Sequence, residues 1–340
     1  MHVLIFGAAG MIGRKLIQKL ARNGRLGSSE IEALTLIDIT PAEKPAVFAG
    51  RVFVASVDIS DPSAVEAVIA RRPDVIFHLA AVVSAEAEAE LEKGYRVNLD
   101  GVRSILEAAR REGKDAPYRP RVVFSSSIAV FGAPFPKMIG DEFFTTPLTS
   151  YGVQKAMAEL LLCDYSRRGF IEGIAIRLPT ICIRPGKPNK AASGFFSNIL
   201  REPLVGEEAV LPVSEDVRHW FASPRAAVGF LLHAATMDLA LMGPRRAINM
   251  PGVSATVADE IEALRRATSE KTVRLIRREP NPTIMKIIEG WPRAFDARRA
   301  LELGFRADSS FDEIIRIHVE DELGGRLEQG RDPRGMRDGV

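Results

Sequence analysis

Short apolar runs alternate with segments of helical periodicity through the first half of the chain. Continuous apolar runs are typical of strands buried on both faces, and their alternation with amphipathic helices predicts a parallel sheet with helices on both sides. The predicted strands are His2–Phe6, Ala33–Ile37, Arg51–Ala55, Val75–Leu79, Val122–Phe124 and Ile174–Leu178. The predicted helices are Met11–Arg22, Pro62–Ala70, Val97–Glu112 and Tyr151–Arg168. The pattern therefore predicts an α/β protein with a doubly wound parallel sheet that reaches to about residue 180.

The pattern changes after Leu178, where prolines interrupt every longer segment. We expect residues 1–180 to form one domain and residues 181–213 and 238–323 to form a smaller C-terminal substrate-binding cap. Residues 214–237 return to the first domain. The later predicted helices are Ala222–Met237, Thr256–Thr268 and Phe311–Leu323. Residues 324–340, which are rich in glycine and arginine, are expected to be a mobile tail.

Composition and charge exclude several classes of protein. Of 340 residues, 46% are hydrophobic and 26% charged, and 46 basic residues nearly balance 44 acidic ones. These values are ordinary for a globular protein and give no reason to expect a nucleic-acid partner. No apolar run approaches the roughly 18 residues of a membrane span, and a strand beginning at residue 2 leaves no room for a signal peptide. We expect a cytoplasmic protein without a membrane partner.

The two cysteines do not indicate a disulfide framework or a metal site. Cys163 and Cys182 are too few for the first and lack the ligand spacing of the second. Cys163 follows the apolar run Leu160–Leu162, so we expect a buried structural thiol. No metal is expected.

A glycine-rich turn joins the first strand to the first helix. Gly7, Gly10 and Gly13 follow a Gly-x-x-Gly-x-x-Gly spacing, and such a turn offers backbone N–H groups and a helix N-terminus to a pyrophosphate. An ordinary tight turn would use the same residues, so neighbouring residues are needed to distinguish a cofactor site from a plain turn. Asp38 closes the second strand, where a carboxylate binds a ribose and repels a 2′-phosphate, which favours NAD over NADP. The predicted NAD contacts in this Rossmann pattern are Gly7, Ala9, Gly10, Met11, Ile12, Gly13, Asp38, Asp58, Ile59, Leu79, Ala80 and Ala81.

Tyr151 and Lys155 form the second informative pair. At a spacing of i and i+4 their side chains leave one face of the predicted helix. A free tyrosine titrates near pH 10, so a neighbouring cation is needed to make it a useful base near neutral pH. The pair therefore indicates proton chemistry. His78, among apolar strand neighbours, is expected to be a structural histidine with its hydrogen bonds satisfied.

Together with Asn98 and the run Ser125–Gly132, these motifs resemble the extended short-chain dehydrogenase/reductase superfamily over about residues 2–235. The resemblance implies that Tyr151 is the general acid/base, that Lys155 lowers its pKa and holds the nicotinamide ribose, and that Ser127 holds the substrate oxygen. It also implies that Asn98 belongs to a water relay and that Ser126 lies near the cofactor. Further NAD contacts implied by it are Asn98, Ser125, Tyr151, Lys155, Leu178 and Thr180.

Departures from the commonest patterns narrow the reaction. Nucleotide-sugar dehydratases usually carry an acidic pair where this chain has Ile128 and Ala129, and epimerases usually carry Asn where it has Thr180. The segments Arg184–Ser193, Val217–Trp220 and Trp291–Asp296 resemble those of the D-erythronate dehydrogenases in the superfamily. That resemblance implies NAD-dependent oxidation of a small sugar acid at its C2 hydroxyl.

A sugar acid requires a partner for its carboxylate, and guanidinium suits bidentate contact. Arg184, Arg218 and Arg225 are candidates, of which we expect Arg218, with His219 beside it. The predicted substrate contacts are Ser84, Ser127, Thr180, Ser193, Arg218 and His219.

Two other functions stay open at this point. A nucleotide-sugar epimerase that retains NAD would use the same cofactor and Ser127/Tyr151/Lys155 sites. A non-catalytic redox sensor is disfavoured because Tyr151 and Lys155 are both present. By analogy with relatives, a homodimer is expected to form through Val97–Glu112 and Tyr151–Arg168.

Overall fold

The computed structural model describes residues 1–186 and 192–326. Its strands are β1 (His2–Phe6), β2 (Arg25–Leu26), β3 (Ser29–Glu30), β4 (Ala33–Asp38), β5 (Arg51–Ser56), β6 (Val75–His78), β7 (Arg121–Ser127), β8 (Glu172–Leu178), β9 (Thr180–Ile181), β10 (Ala209–Leu211), β11 (Arg218–Ala222), β12 (Ala247–Asn249), β13 (Val253–Thr256) and β14 (Ile276–Arg278). Its α-helices are α1 (Met11–Asn23), α2 (Pro62–Ile69), α3 (Ser84–Ala89), α4 (Leu91–Tyr95), α5 (Gly101–Glu112), α6 (Ser150–Arg167), α7 (Gly194–Leu204), α8 (Pro224–Thr236), α9 (Val257–Ala267), α10 (Glu270–Val273), α11 (Pro282–Glu289), α12 (Arg298–Glu302) and α13 (Phe311–Glu322). A π-helical turn spans Arg96–Asp100, and 3₁₀ turns span Ile128–Val130 and Leu239–Met242.

Seven parallel strands form the central sheet in the order β12-β8-β7-β6-β1-β4-β5. The chain builds outward from β1 to β4 and β5, and then returns to the other side of β1 with β6. The carboxyl ends of β1 and β6 therefore flank the crevice in which open α/β sheets bind ligands. The predicted fold class is confirmed, and every predicted strand occurs in this sheet.

Helices cover both faces of the sheet because successive residues of each strand point to opposite faces. In β1, Val3 and Ile5 pack in one core with residues of α1 and α8. Leu4 and Phe6 pack in the other core with residues of α2, α5 and α6. Burial on both faces explains why the strands are continuous apolar runs in the sequence.

The predicted boundary of the cap at residue 238 is wrong. β12 pairs with β8, with Ile248 opposite Ile176, and so completes the central sheet. Phe305, later still, packs its ring edge against His233 of α8. A three-residue strand is too short to give a periodic signal, so the sequence did not reveal it.

The cap is built on a small sheet of three strands, β13-β11-β9, and on the pair β10 and β14. Its core joins Phe196 of α7, Leu264 of α9 and Ile314 of α13 with Phe221 of β11. β9 follows β8 directly, and β11 leads into α8, so both connections leave from the sheet's carboxyl edge. Of the segment Arg184–Ser193, residues 187–191 lie outside the described residues.

Three local predictions need correction. The predicted helix Val97–Glu112 is interrupted by the π-helical turn at Arg96–Asp100, and α5 begins only at Gly101. Cys163 is partly exposed, with its Sγ 3.6 Å from the carbonyl oxygen of Pro244, so the expected burial is wrong. Gly324–Arg326 were assigned to the tail, but Gly325 donates its N–H to Val319 and ends α13. Residues 327–340 lie outside the described residues.

The outer face of α6 carries exposed apolar side chains. Leu160 is 71% exposed and Met157 is 39% exposed, one turn apart. This face is available for the predicted homodimer, which stays a prediction. No helix in the two described ranges is both long and apolar enough to cross a membrane.

Candidate active site

The glycine-rich turn needs glycine for steric reasons. Gly7 has a φ of +86°, and a Cβ there would lie 2.5 Å from the backbone nitrogen of Ala80. A Cβ on Gly13 would lie 2.2 Å from the carbonyl oxygen of Gly7. The turn is thus pressed against the loop that follows β6, as the predicted contacts at Leu79–Ala81 require. Gly10 is the N-cap of α1 and has no side chain to cap the helix, which leaves first-turn N–H groups for a pyrophosphate.

Asp38 lies at the carboxyl end of β4 and faces the glycine-rich turn. Its Oδ2 accepts a hydrogen bond from the backbone N–H of Ala9 at 2.9 Å, and its Oδ1 lies 3.3 Å from the backbone nitrogen of Thr40. The carboxylate therefore has lone pairs left for ribose hydroxyls. The turn and this carboxylate together fit NAD.

Asp58 and Ile59 contribute differently. The hydroxyl and backbone N–H of Ser60 both donate to the Asp58 carboxylate, at 2.7 and 2.9 Å, and they lower the pKa of Asp58. Ile59 is buried next to Gly101, the first residue of α5. Contact of either residue with the adenine stays a prediction.

We expect the protein to bind NAD more than tenfold more tightly than NADP. A 2′-phosphate placed beside the Asp38 carboxylate would be repelled by more than about 1.4 kcal/mol at short range. Calorimetric titration with both cofactors measures the ratio, and Asp38→Ala should narrow it even where NAD affinity falls. Equal affinity for both cofactors would contradict the role assigned to Asp38.

The start of α6 brings Tyr151 to the end of β7. Thr149 caps the helix by accepting a hydrogen bond from the N–H of Gly152 at 3.1 Å. A Cβ on Gly152 would lie 2.2 Å from the carbonyl oxygen of Ala129, so only glycine lets the helix approach this closely. The Ser127 hydroxyl then accepts from the N–H of Ala129 at 3.1 Å and lies close enough to the phenol of Tyr151 to lower its pKa.

Lys155 is buried, with 1% of its surface exposed, and its Nζ donates to the carbonyl oxygen of Ser125 at 2.9 Å. The Nζ also lies 5.6 Å from the centre of the Tyr151 ring. Burial lowers the pKa of Lys155 to about 7, and the negative charge of Glu159 opposes that change. Ser127, Tyr151 and Lys155 thus form the cluster that the sequence predicts.

Burial also raises the pKa of Tyr151 to about 12, while the Ser127 hydrogen bond and the charge of Arg184 oppose the rise. Tyr151 is therefore a phenol at neutral pH in the protein alone. Ser127 and Arg184, rather than the predicted Lys155, are thus the groups that lower the pKa of Tyr151 here.

Thr180 and His219 are brought together on the cap side of the site. Thr180 Oγ1 lies 2.7 Å from His219 Nε2, and His219 Nδ1 lies 2.9 Å from the carbonyl oxygen of Pro292. Because a carbonyl only accepts, Nδ1 carries the proton and the Thr180 hydroxyl donates to Nε2. Burial lowers the pKa of His219 to about 4, so its ring is neutral.

Arg184, and not Arg218, carries its charge next to Tyr151. Its Nη2 donates to Ser193 Oγ and its Nε donates to the carbonyl oxygen of Ile181, both at 3.0 Å. Its charge acts on the pKa values of both Tyr151 and His219. Within residues 1–186 and 192–326 it has no carboxylate at ion-pair distance, which makes it an available anion ligand.

The expected carboxylate ligand Arg218 lies elsewhere. Its side chain is 44% exposed, its Nη1 donates to the carbonyl oxygen of Ser254 at 3.1 Å, and its Nη2 lies 3.7 Å from Asp259. Arg225 pairs with Glu320 and Asp321. Adjacent strand residues face opposite sides, so with His219 turned inward Arg218 turns outward.

Asn98 is fully buried, and its side chain is already engaged. Its Oδ1 accepts from the N–H of Val82 at 2.8 Å, and its Nδ2 donates to the carbonyl oxygen of Val82 and to Gln154 Oε1 at 3.0 and 2.7 Å. Its place in a water relay stays a prediction.

Other predicted residues have mixed outcomes. His78 is buried beside Phe124, but neither ring nitrogen has a hydrogen-bond partner among the described residues, so its expected satisfaction is wrong. Burial lowers its pKa to about 3. Ser125 donates its hydroxyl to the carbonyl oxygen of His78 at 3.1 Å. Ser126 is buried against Glu159, away from the expected cofactor contact. Ser84 is the first residue of α3.

The structure adds a buried ion pair that is not among the predicted residues. It joins Glu159 and Arg177, whose closest atoms are 2.8 Å apart. A signal was present: an acid one turn after Lys155 on the same helix face, and an arginine inside an apolar strand.

Comparison with known proteins agrees with this geometry. The sequence profile of the NAD dependent epimerase/dehydratase family matches residues 3–237. The chain is 45% identical to D-erythronate dehydrogenase of Cupriavidus necator, over 94% of this chain and 98% of that protein. It is 41% identical to D-erythronate dehydrogenase of Haemophilus influenzae, over 94% and 99%. A solved structure named as a nucleoside-diphosphate-sugar epimerase from Agrobacterium tumefaciens is 63% identical and superimposes with a TM-score of 0.95 over 96% of each chain. The chain belongs to the NAD-dependent epimerase/dehydratase family, and its cofactor is NAD.

Proposed function

We propose that this protein oxidises a small sugar acid, D-erythronate or a close relative, at its C2 hydroxyl with NAD. The observation that carries the proposal is Arg184, a guanidinium near Tyr151 without a carboxylate partner in the described part of the chain. A substrate carboxylate would supply the missing counter-charge at that point. The two relatives named D-erythronate dehydrogenase support this choice of acid.

The residues divide the work as follows. Tyr151 takes the proton from the substrate hydroxyl, and the Ser127 hydroxyl, which lowers the pKa of Tyr151, holds the reacting oxygen. Lys155, as an ammonium group, holds the nicotinamide ribose. NAD, when bound, accepts the hydride.

Two further groups orient the substrate. The Thr180 hydroxyl donates to His219 and keeps its oxygen lone pairs for a hydroxyl of the acid. Arg184 fixes the carboxylate, so the C2 hydroxyl next to it is held toward Tyr151. On this arrangement, a compound without a carboxylate is expected not to turn over.

The test is NAD reduction measured by absorbance with D-erythronate and with erythritol, the matching neutral polyol. We expect NADH to form with the acid and not with the polyol. Reduction of NAD with both compounds at equal rates would contradict the role of the carboxylate.

A second candidate function is nucleotide-sugar epimerisation with retained NAD. The solved Agrobacterium tumefaciens structure, which is named a nucleoside-diphosphate-sugar epimerase, favours this function. The diphosphate of a nucleotide sugar could pair with Arg184 as a carboxylate would. The same purified protein distinguishes the two. Interconversion of UDP-sugars without net NADH release, with NAD retained through purification, would support the epimerase and refute the dehydrogenase.

A further inference from the structure

Three consecutive serines at the end of β7 each meet a different side chain of α6. The Ser127 hydroxyl lowers the pKa of Tyr151, the carbonyl oxygen of Ser125 accepts from Lys155, and the Ser126 hydroxyl donates to Glu159 Oε1 at 2.5 Å. Tyr151, Lys155 and Glu159 are four residues apart and so lie in one row on the helix. We call these three residues the α6 row. Its first two members belong to the proposed chemistry, and the third has no role in it so far.

Glu159 ties α6 to more than β7. Its carboxylate is almost fully buried and accepts from Arg177 Nε at 3.0 Å and from Arg177 Nη2 at 2.8 Å. Arg177 lies on β8 and donates in turn to Asn249 Oδ1 on β12, at 3.3 Å. The Glu159 carboxylate thus fixes the height of the α6 row, meaning its position along the helix axis, relative to three neighbouring strands. A shift of the helix along its axis would break the bonds of Glu159 to Ser126 and to Arg177 together.

The negative charge of Glu159 also acts on the ammonium group of Lys155. The titratable or charged groups near the Lys155 ammonium are Tyr151 and Glu159 on α6, His78 on β6, and Arg177 on β8 behind Glu159. Tyr151 and His78 are neutral at neutral pH because burial disfavours their charged forms. Among the residues that the structure describes, Glu159 is therefore the group whose charge favours the ammonium form of Lys155.

We propose that Glu159 is a positioning residue that keeps Lys155 protonated and at the height where it binds the nicotinamide ribose. The proposal rests on the role given to Lys155 under the proposed function. It implies that Glu159 sets the pH above which the protein loses affinity for NADH. Arg177 holds the carboxylate in place.

The experiment measures NADH binding by fluorescence across neutral and alkaline pH, without a sugar acid. In the unaltered protein, affinity should fall as pH rises and Lys155 loses its proton. In Glu159→Gln, the midpoint of that fall should move down by about one pH unit, because a nearby opposite charge is lost. Below the midpoint the two proteins should bind NADH alike.

Ser126→Ala is the matched control, because it removes a hydrogen bond to Glu159 and leaves the charge. Its midpoint should stay where it is in the unaltered protein. An unchanged midpoint in Glu159→Gln, or an equal shift in Ser126→Ala, would overturn the proposal.

A second variant guards against misfolding. Glu159→Gln leaves Arg177 buried without its counter-ion, which is strongly destabilising, whereas replacing both members of a buried pair is often tolerated. Glu159→Gln combined with Arg177→Met should therefore fold, as thermal unfolding would show. It should give a downward shift that is smaller than that of Glu159→Gln, because the positive charge of Arg177, which disfavours the ammonium form of Lys155, is lost as well. No shift in that folded double variant also refutes the proposal. Because the readout needs no acid substrate, failure of D-erythronate as substrate leaves it intact.

Discussion

Replacing Tyr151 by Phe is expected to lower kcat by about 100-fold or more and to leave the Kd of NADH nearly unchanged. Phe fills nearly the same volume and removes only the phenol oxygen, whose pKa the Ser127 hydroxyl lowers. The backbone anchor of the helix, Thr149 on the N–H of Gly152, does not involve that oxygen. Steady-state rates with the acid, together with fluorescence titration of NADH, separate the chemical step from cofactor binding.

The pH dependence of kcat is the control for Tyr151→Phe. Burial raises the pKa of Tyr151 to about 12, and only the deprotonated phenol can accept a proton from the substrate. The kcat for oxidation by the unaltered protein should therefore rise with pH above neutrality, and the residual rate of Tyr151→Phe should lose that rise. Ordinary turnover in Tyr151→Phe would mean that another group is the base.

Replacing Arg184 by Met is expected to raise the KM for the sugar acid by about tenfold to a hundredfold. A charge-assisted hydrogen bond to a carboxylate contributes roughly 1.5–3 kcal/mol, and Met keeps most of the side-chain volume. The fold should survive because Arg184 is also held through its backbone. Its N–H donates to Ser197 Oγ at 3.1 Å, and its carbonyl oxygen accepts from Arg201 at 2.8 Å.

Arg218→Met is the matched control for Arg184→Met. Its half-exposed guanidinium contacts Ser254 and Asp259, so its loss should change KM by less than about threefold, as surface charges contribute little. Kinetics with both variants decide between the two arginines. A large rise in KM for Arg218→Met, with none for Arg184→Met, would restore the expectation drawn from sequence.

The sheet could be predicted because its strands are buried on both faces, and this forces apolar runs such as His2–Phe6 and Val75–His78. β7 was predicted too short because it ends in Ser125–Ser127. Those serines are strand residues despite their polarity, since they pair in register with Ile176–Leu178 of β8. β12 was not predicted because a strand of three residues is too short to show a periodic pattern of apolar residues.

The site could be predicted in part for a related reason. Spacing along one helix decides that Tyr151 and Lys155 share a face, so this cluster follows from local geometry. The choice between Arg184 and Arg218 depends instead on the direction in which a loop and the middle strand of a small sheet present their side chains, which local spacing does not determine. Glu159 was overlooked because its partners Ser126 and Arg177 are distant in sequence.

The late position of β12 has a consequence for how the chain acquires its structure. During synthesis β8 is complete at Leu178, but the strand that covers its free edge ends only at Asn249, after much of the cap has been made. Until then, the backbone of Ala175–Arg177 presents an unpaired edge that can bind other chains. The chain must therefore pass through the first part of the cap before β12 can complete the central sheet. A chain cut between the two strands would aggregate rather than yield a smaller cofactor-binding protein.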